Sequence, residues 1–144
     1  MFESTGRLIY DPHARIKQDK WWAIVKTDEG IIEYYKKQIR DHFDLKFEKT
    51  VWGSHISAIR GEEPLKKELW NKYPKEKISF TYSNRIYRKH YFFCVDAYSE
   101  RLEQIREELG LSKLPKFGFH LTIGRIDKLY MQQVENKRKN LTEK

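Results

Sequence analysis

The sequence predicts one α+β domain over residues 1–144, built from two related halves. Three observations predict this fold. The order strand, helix, strand occurs twice, over about residues 21–60 and 91–126. Each helix has one apolar face, as a helix covering a sheet requires. The last strand of each unit carries a histidine with a hydroxyl residue two places later. Two such units, packed about a pseudo-twofold axis, would form two antiparallel sheet lobes with the helices outside and a central cleft.

The elements of the first half follow from local patterns. Residues 6–10 form a short strand candidate, and residues 21–25 combine the aromatic and β-branched side chains that are typical of strands. Apolar residues recur at helical spacing over 31–43, with lysine and arginine on the other side. Residues 50–59 then form the strand of the first histidine motif.

The second half begins after a middle section. Residues 64–73, bounded by two prolines, are predicted as a short helix, and the alternation over 78–82 predicts a half-buried strand. A strand over 91–98 leads to a helix over 99–109, with Ser99 as N-cap and Gly110 after its end. The remaining predicted elements are the second motif strand over 117–126 and a polar, basic tail over 132–144.

The two histidine motifs carry the predicted chemistry. Residues 55–58 read His-Ile-Ser-Ala, and residues 120–123 read His-Leu-Thr-Ile. In a strand, residues two apart point to the same face, so each motif presents an imidazole beside a hydroxyl. Two such pairs facing one cleft form an acid–base site for a phosphodiester. The catalytic candidates are His55, Ser57, His120 and Thr122, whereas His13, His42 and His90 are expected to be exposed or structural.

Both motif strands also carry an arginine five places after the histidine. These are Arg60 and Arg125, which are candidates for binding substrate phosphate. In an ideal strand, however, the fifth residue points to the face opposite the histidine, which favours a surface role. The arginines reach the cleft only if the strand ends or bulges first, which Gly61 and Gly124 permit.

Nucleobases need flat partners. Candidates for stacking are Tyr10, Trp22, Trp52, Trp70 and Tyr82. Most aromatic residues in strands belong to the core, so Tyr10 and Trp70, which lie outside the main apolar runs, are the first choices for substrate binding.

The composition indicates which classes of partner the protein binds. The chain has 29 basic and 21 acidic residues, a formal net charge of +8, which favours polyanions such as nucleotides or nucleic acid. No Cys/His spacing predicts a metal site, and no glycine-rich phosphate loop or other cofactor motif is present. Cys94 is the one cysteine and cannot form an internal disulfide. No apolar run is long enough to span a membrane, so we expect a soluble, cytoplasmic protein. The sequence leaves the oligomeric state open.

The paired motifs resemble the signature of the 2H phosphoesterases, which is two copies of His-apolar-Ser/Thr-apolar in a bilobal α+β fold. The layout is most similar to phage enzymes that destroy the cyclic oligonucleotide signals of bacterial CBASS immunity. The stretches that carry this finer resemblance are residues 21–26 (Trp-Trp-Ala-Ile-Val-Lys), 53–57 (Gly-Ser-His-Ile-Ser) and 60–62 (Arg-Gly-Glu).

The resemblance implies a metal-independent phosphodiesterase that cleaves 3′–5′ linkages of cyclic di- and trinucleotides. His55 and His120 would be its acid–base pair, and Ser57 and Thr122 would hold phosphate oxygens. Which histidine is the base stays open, because the motifs are symmetric. Two alternatives remain: an enzyme for RNA 2′,3′-cyclic phosphates or 2′–5′ RNA ends, and a basic module that binds nucleotides or RNA without cleaving them.

Overall fold

A computed structural model describes residues 1–12, 20–42, 47–48, 53–126, 132–133 and 135–136. Predictions that concern His13, Trp52, the residues directly before Gly53 and most of the C-terminal tail lie outside these ranges. The described elements, in chain order, are β1 (Phe2–Tyr10), β2 (Trp22–Lys26), α1 (Glu29–His42), β3 (Phe47–Glu48), β4 (His55–Arg60), a single 3₁₀ turn (Lys67–Leu69), β5 (Lys77–Tyr82), β6 (Tyr87–Lys89), β7 (Phe92–Tyr98), α2 (Glu100–Glu108) and β8 (Phe119–Ile126).

The α+β prediction is confirmed, but the strands form one antiparallel sheet in the order β3-β8-β4-β2-β1-β5-β7-β6. A further pairing between β7 and β8 closes six of these strands into a barrel-like ring. The expected division into two separate sheets is not confirmed. Pairing around the ring is uneven: β1 and β5 match along six residue pairs, whereas β4 and β8 meet at one and β5 and β7 at two.

The helices cover one face of the sheet. Tyr35 and Ile39 of α1, and Leu102, Ile105 and Leu109 of α2 and its C-cap, belong to the same buried cluster as the apolar strand residues. Helix α2 begins where the sequence predicts, because the Ser99 side chain accepts a hydrogen bond from the backbone N–H of Leu102 at 3.3 Å. The histidine motifs lie on the face of the strands opposite to the one that packs into this cluster, because His55 and Ser57 alternate with the clustered Ile56, and His120 and Thr122 with Leu121.

Three local predictions differ from the structure. The helix expected over 64–73 is only the 3₁₀ turn, because side-chain contacts to distant parts of the chain hold this segment. Trp70 Nε1 donates to Asp11 at 3.0 Å, and the Tyr73 hydroxyl donates to Glu108 at 2.8 Å. Strand β1 starts four residues before the predicted segment, and the short edge strands β3 and β6 have no distinct sequence pattern.

Candidate active site

One residue pair brings the two motifs together. Ile56 of β4 lies opposite Leu121 of β8, and both side chains are fully buried in the core. Because neighbours along a strand point to alternate faces, the residues on either side of this pair share the opposite face. The antiparallel register sets Ser57 beside His120 and His55 beside Thr122. We call the side of the sheet that carries these four residues the motif face.

The two histidines are held in the same way. The His55 ring nitrogen Nδ1 donates to the carbonyl oxygen of Gly53 at 3.0 Å, and His120 makes the equivalent hydrogen bond to the backbone of Gly118. Both glycines have a left-handed backbone, with φ of 59° and 70°. Side chains rarely adopt this conformation, and a Cβ on Gly53 would also collide with Glu29. With Nδ1 donating to a carbonyl, Nε2 of His55 is the nitrogen left for proton transfer.

Burial lowers the pKa of both imidazoles, and nearby charges modify this effect. Burial is the largest cause for His55, and Lys26, Arg60 and a protonated His120 lower its pKa further, against the carbonyl of Gly53. Burial is also the largest cause for His120, where Lys89 lowers the pKa and Asp96 raises it. The Ile56–Leu121 register sets the two rings on one face, and His120 is among the groups that lower the pKa of His55.

Each hydroxyl has a partner on the neighbouring strand. The indole N–H of Trp22 donates to Ser57 Oγ at 3.3 Å, and Thr122 hydrogen-bonds Cys94. Because Ser57 accepts from Trp22, its own O–H is oriented to donate elsewhere, as binding a phosphate oxygen requires. Burial raises the pKa of the Cys94 thiol, so this residue is a neutral neighbour rather than a nucleophile.

Matching bulges turn both arginines onto the motif face. Between β2 and β4 the register skips Ala58, so Arg60 lies opposite Trp22 while Ser57 lies opposite Ile24. Between β7 and β8 the register skips Ile123, and Arg125 lies opposite Phe92. Ile123 follows His120 by three places, just as Ala58 follows His55. An extra residue reverses the alternation of the strand, so each arginine shares the face of its histidine and not the opposite face expected for an ideal strand.

The arginines pack alike in the two halves. The guanidinium of Arg60 lies 5.1 Å from the ring centre of Trp22, and that of Arg125 lies 5.8 Å from the ring centre of Phe92. Cation–π contacts of this kind fix the plane of the guanidinium beside the neighbouring motif. The two arginines therefore have equivalent positions on either side of the paired histidines.

A buried arginine secures the first bulge. Arg106 of α2, whose side chain is 0% exposed, donates to the carbonyl of the bulged Ala58 at 2.9 Å. Glu62 receives two hydrogen bonds from the same guanidinium, at 2.8 and 2.6 Å. Arg106 is the main cause of the lowered pKa of Glu62. The sequence pattern does not predict this role for Arg106, whose only signal is a basic residue on the apolar side of a helix.

Two clefts meet at His120. The first, about 320 Å³, lies beside Arg60 and we call it the Arg60 cleft; the second, about 440 Å³, lies beside Asp96 and we call it the Asp96 cleft. Both are lined by His120 and Phe117, and the Phe117 side chain is 64% exposed. The Lys89 ammonium lies 3.4 Å from the centre of the Phe117 ring. An exposed aromatic ring with basic neighbours thus lies between two clefts, a feature that no pattern in the sequence predicts.

Two larger cavities, of about 620 and 480 Å³, contain none of the motif residues. The first is lined by Glu3, Glu100 and Glu103 and the second by Asp28. Neither larger cavity is lined by a lysine or arginine that would offset these carboxylates, whereas each cleft at His120 is lined by two basic residues. The clefts at His120 are therefore the better candidates for a nucleotide site.

The two aromatic residues that the sequence favours for stacking, Tyr10 and Trp70, lie outside both clefts at His120. Tyr10 and Trp70 contact each other edge to face, with ring centres 5.1 Å apart, and Trp21 packs on Trp70 at the same distance. Neither of the two chosen residues lines the Arg60 cleft or the Asp96 cleft, so their role in binding stays a prediction. Tyr82 packs against Phe80 and Phe2, and Trp22 supports Ser57 and Arg60.

Two further properties concern the described ranges only. No three His, Cys, Asp or Glu side chains among the described residues cluster closely enough to hold a metal ion. Within the same part of the chain, neither α1 nor α2 is long and apolar enough to cross a membrane. His42 and His90 are exposed, and His42 Nδ1 bonds the carbonyl of Gln38 in its own helix at 3.0 Å.

Comparison with known proteins gives no relative on which to base a function: no protein-family model, curated protein or solved structure matches the chain.

Proposed function

We propose that this protein is a phosphodiesterase of the 2H type, which cleaves 3′–5′ linkages of cyclic di- and trinucleotide second messengers by two-histidine acid–base catalysis without a metal. The observation that carries the proposal is the Ile56–Leu121 pair, because it sets two imidazoles and two hydroxyls on one face. The lengths of the strand pairings support the bilobal form of this fold. Within the ring, the two shortest pairings are β4–β8 and β5–β7, and they divide the strands into β4-β2-β1-β5 and β6-β7-β8-β3.

The reaction needs only groups of the substrate and the two histidines. One imidazole takes the proton of the ribose 2′-OH, and the 2′-oxygen forms a bond to the adjacent phosphorus. The bond from phosphorus to the 5′-oxygen breaks, and the second imidazole gives that oxygen a proton. The product is an opened chain that ends in a 2′,3′-cyclic phosphate. Ser57, Thr122, Arg60 and Arg125 hold the non-bridging oxygens, on which negative charge accumulates.

The two clefts favour an internal linkage over an RNA end. An internal phosphodiester has a nucleoside on each side of the phosphorus, whereas a terminal 2′,3′-cyclic phosphate has one. Clefts of about 320 and 440 Å³ that meet at His120 offer room for both nucleosides. The net charge of +8 also favours a small polyanion. Such an enzyme would act in the bacterial cytosol, where it would remove CBASS signals.

The test is cleavage in EDTA of a panel of cyclic di- and trinucleotides with 3′–5′ or mixed 2′–5′ linkages, together with an RNA ending in a 2′,3′-cyclic phosphate. We expect ring opening of 3′–5′-linked cyclic substrates, and none where the attacking 2′-OH is methylated. His55→Ala and His120→Ala should each lose about 10²–10⁴-fold in turnover but still bind. His90→Ala, at an exposed histidine, is the matched control.

Other outcomes would redirect the proposal. Reaction at the RNA end alone would make the protein an RNA-processing enzyme. Tight binding of cyclic nucleotides without cleavage would make it a binding module, and normal turnover by either alanine variant would contradict the acid–base pair.

A further inference from the structure

The symmetry of the two motifs breaks at the residues that lie opposite the histidines. In the β2–β4 pairing Lys26 lies opposite His55, and in the β7–β8 pairing Asp96 lies opposite His120. A cation thus occupies the position on one side that a carboxylate occupies on the other. We propose that this difference assigns the roles: His55 is the general base, His120 is the general acid, and Lys26 and Asp96 are positioning residues that set these protonation states. The assignment rests on the proposed function.

The surroundings of His55 favour a neutral ring. Lys26 faces it from β2 and Arg60 from its own strand, and His120 adds a third positive charge when protonated. Lys26 is itself paired with Glu29, which also accepts a hydrogen bond from the backbone N–H of Ser54 at 2.8 Å. The ion pair fixes the ammonium at this end of the strand. A neutral His55, with Nδ1–H bound to Gly53, has the Nε2 lone pair that a base requires.

Among the described residues, Asp96 is the carboxylate that raises the pKa of His120, and no carboxylate is among the groups that act on the pKa of His55. Asp96 favours the protonated ring, and Lys89 opposes it from β6. Tyr87 hydrogen-bonds Asp96, which orients the carboxylate. The other charged residues lining the two clefts at His120 are Arg60, Glu62, Lys116 and Arg88. Of these, Glu62 is engaged by Arg106. An imidazolium at His120 can protonate the departing 5′-oxygen.

The decisive test uses two cyclic dinucleotides that differ in one bridging atom, a normal 5′-oxygen or a 5′-sulfur. A thiolate departs without a proton, because thiols are far more acidic than alcohols; the thiol of cysteine, for example, has a pKa of about 8.5. We expect His120→Ala to lose about 10²–10⁴-fold on the oxygen substrate and to return to within about tenfold of the wild type on the sulfur substrate. His55→Ala should lose activity on both substrates, because deprotonation of the 2′-OH is still needed.

A second readout concerns the positioning residues. In Lys26→Met the limb of the pH–rate profile that reports the base should move to higher pH, and in Asp96→Asn the limb that reports the acid should move to lower pH. Lys26→Arg and Asp96→Glu, which keep the charge, should restore each limb. A residue with a merely structural role would lower the rate without moving either limb.

The outcomes separate the two proposals. A wild-type protein that cleaves neither substrate contradicts the proposed function, and the assignment with it. A wild type that cleaves the oxygen substrate, with rescue by sulfur in His55→Ala or in neither variant, contradicts the assignment alone.

Discussion

Ile56 lies opposite Leu121 at the one residue pair that joins β4 to β8, and neither side chain is exposed to solvent. The pair therefore has two roles that come from the same alternation of side chains. Its inner side completes the core beneath the helices, and its outer side sets the two motifs next to each other.

Replacing Ile56 tests whether the second role is separate from the first. Ile56→Ala should lower the free energy of unfolding by about 2–5 kcal/mol, as other large-to-small core substitutions do. The matched control is Ile78→Ala, an equally buried isoleucine of β5 that contacts neither motif strand in the sheet. Both are measured by urea unfolding. At a temperature where both variants are folded, Ile56→Ala should also lose about 100-fold in turnover, because small displacements of reacting groups cost that much. Equal turnover in the two variants would contradict a positioning role.

The elements and the motifs could be read from the sequence because their signals are local. The apolar periodicity of α1 and α2, the Ser99 cap and the His-x-Ser/Thr spacing each involve a few consecutive residues. The strand pairings that close the ring could not be predicted from such local signals, because alternation along a strand gives the face of each residue but not its partner on another strand. The β7–β8 register and the single contact at Ile56 depend on residues at least 22 positions apart.

The positions of Arg60 and Arg125 show the same limit within the site. Strand alternation alone sends both arginines to the wrong face, and the bulges at Ala58 and Ile123 exist only in the pairing of two strands. Phe117 and Arg106 were missed for a related reason. An exposed ring in a turn and a buried guanidinium on a helix become meaningful only when their distant neighbours are known.

The bulges predict that both arginines bind substrate. Arg60→Met and Arg125→Met should each raise KM about tenfold or more, since a hydrogen bond to a charged group contributes about 1.5–3 kcal/mol. Arg85→Met, at an exposed position in the turn after β5, is the control and should behave as the wild type. The measurement is steady-state cleavage of a cyclic dinucleotide, with circular dichroism to verify folding. If the motif variants match Arg85→Met, the arginines are surface residues despite the bulges.

Phe117 is predicted to stack on a nucleobase. Its exposed ring stands between the Arg60 cleft and the Asp96 cleft, and stacking of a base on an aromatic ring contributes about 1–3 kcal/mol. Phe117→Ala should therefore raise KM roughly tenfold, and Phe117→Trp should retain binding. Phe2→Ala removes another exposed phenylalanine, outside both clefts, and serves as the control. Tyr10→Ala and Trp70→Ala, measured in the same series, would show whether the edge-to-face pair binds a second base.

The lowered pKa values of His55 and His120 predict how stability depends on pH. Burial is the largest cause for both, so the folded protein favours neutral imidazoles and the unfolded chain binds protons first. The resulting stability is fully present above the unfolded value of about 6.5 and is lost as the pH falls through the lower folded values. Urea unfolding of the wild type should therefore show a free energy that decreases from pH 7.5 to pH 5. Above pH 5 carboxylates, with reference values near 4, stay ionised and contribute little to this slope.

The matched variants isolate the two imidazoles. In His55→Gln/His120→Gln the decrease between pH 7.5 and pH 5 should be clearly smaller than in the wild type, because glutamine does not titrate. His90→Gln, which changes an exposed histidine, should keep the wild-type slope. The same comparison is relevant to catalysis, because the mechanism needs one neutral and one protonated imidazole near the operating pH although both rings are desolvated. If the double variant kept the wild-type dependence of the unfolding free energy on pH, both rings would be solvated. Lys26 and Asp96 could then not decide which histidine is the base and which is the acid.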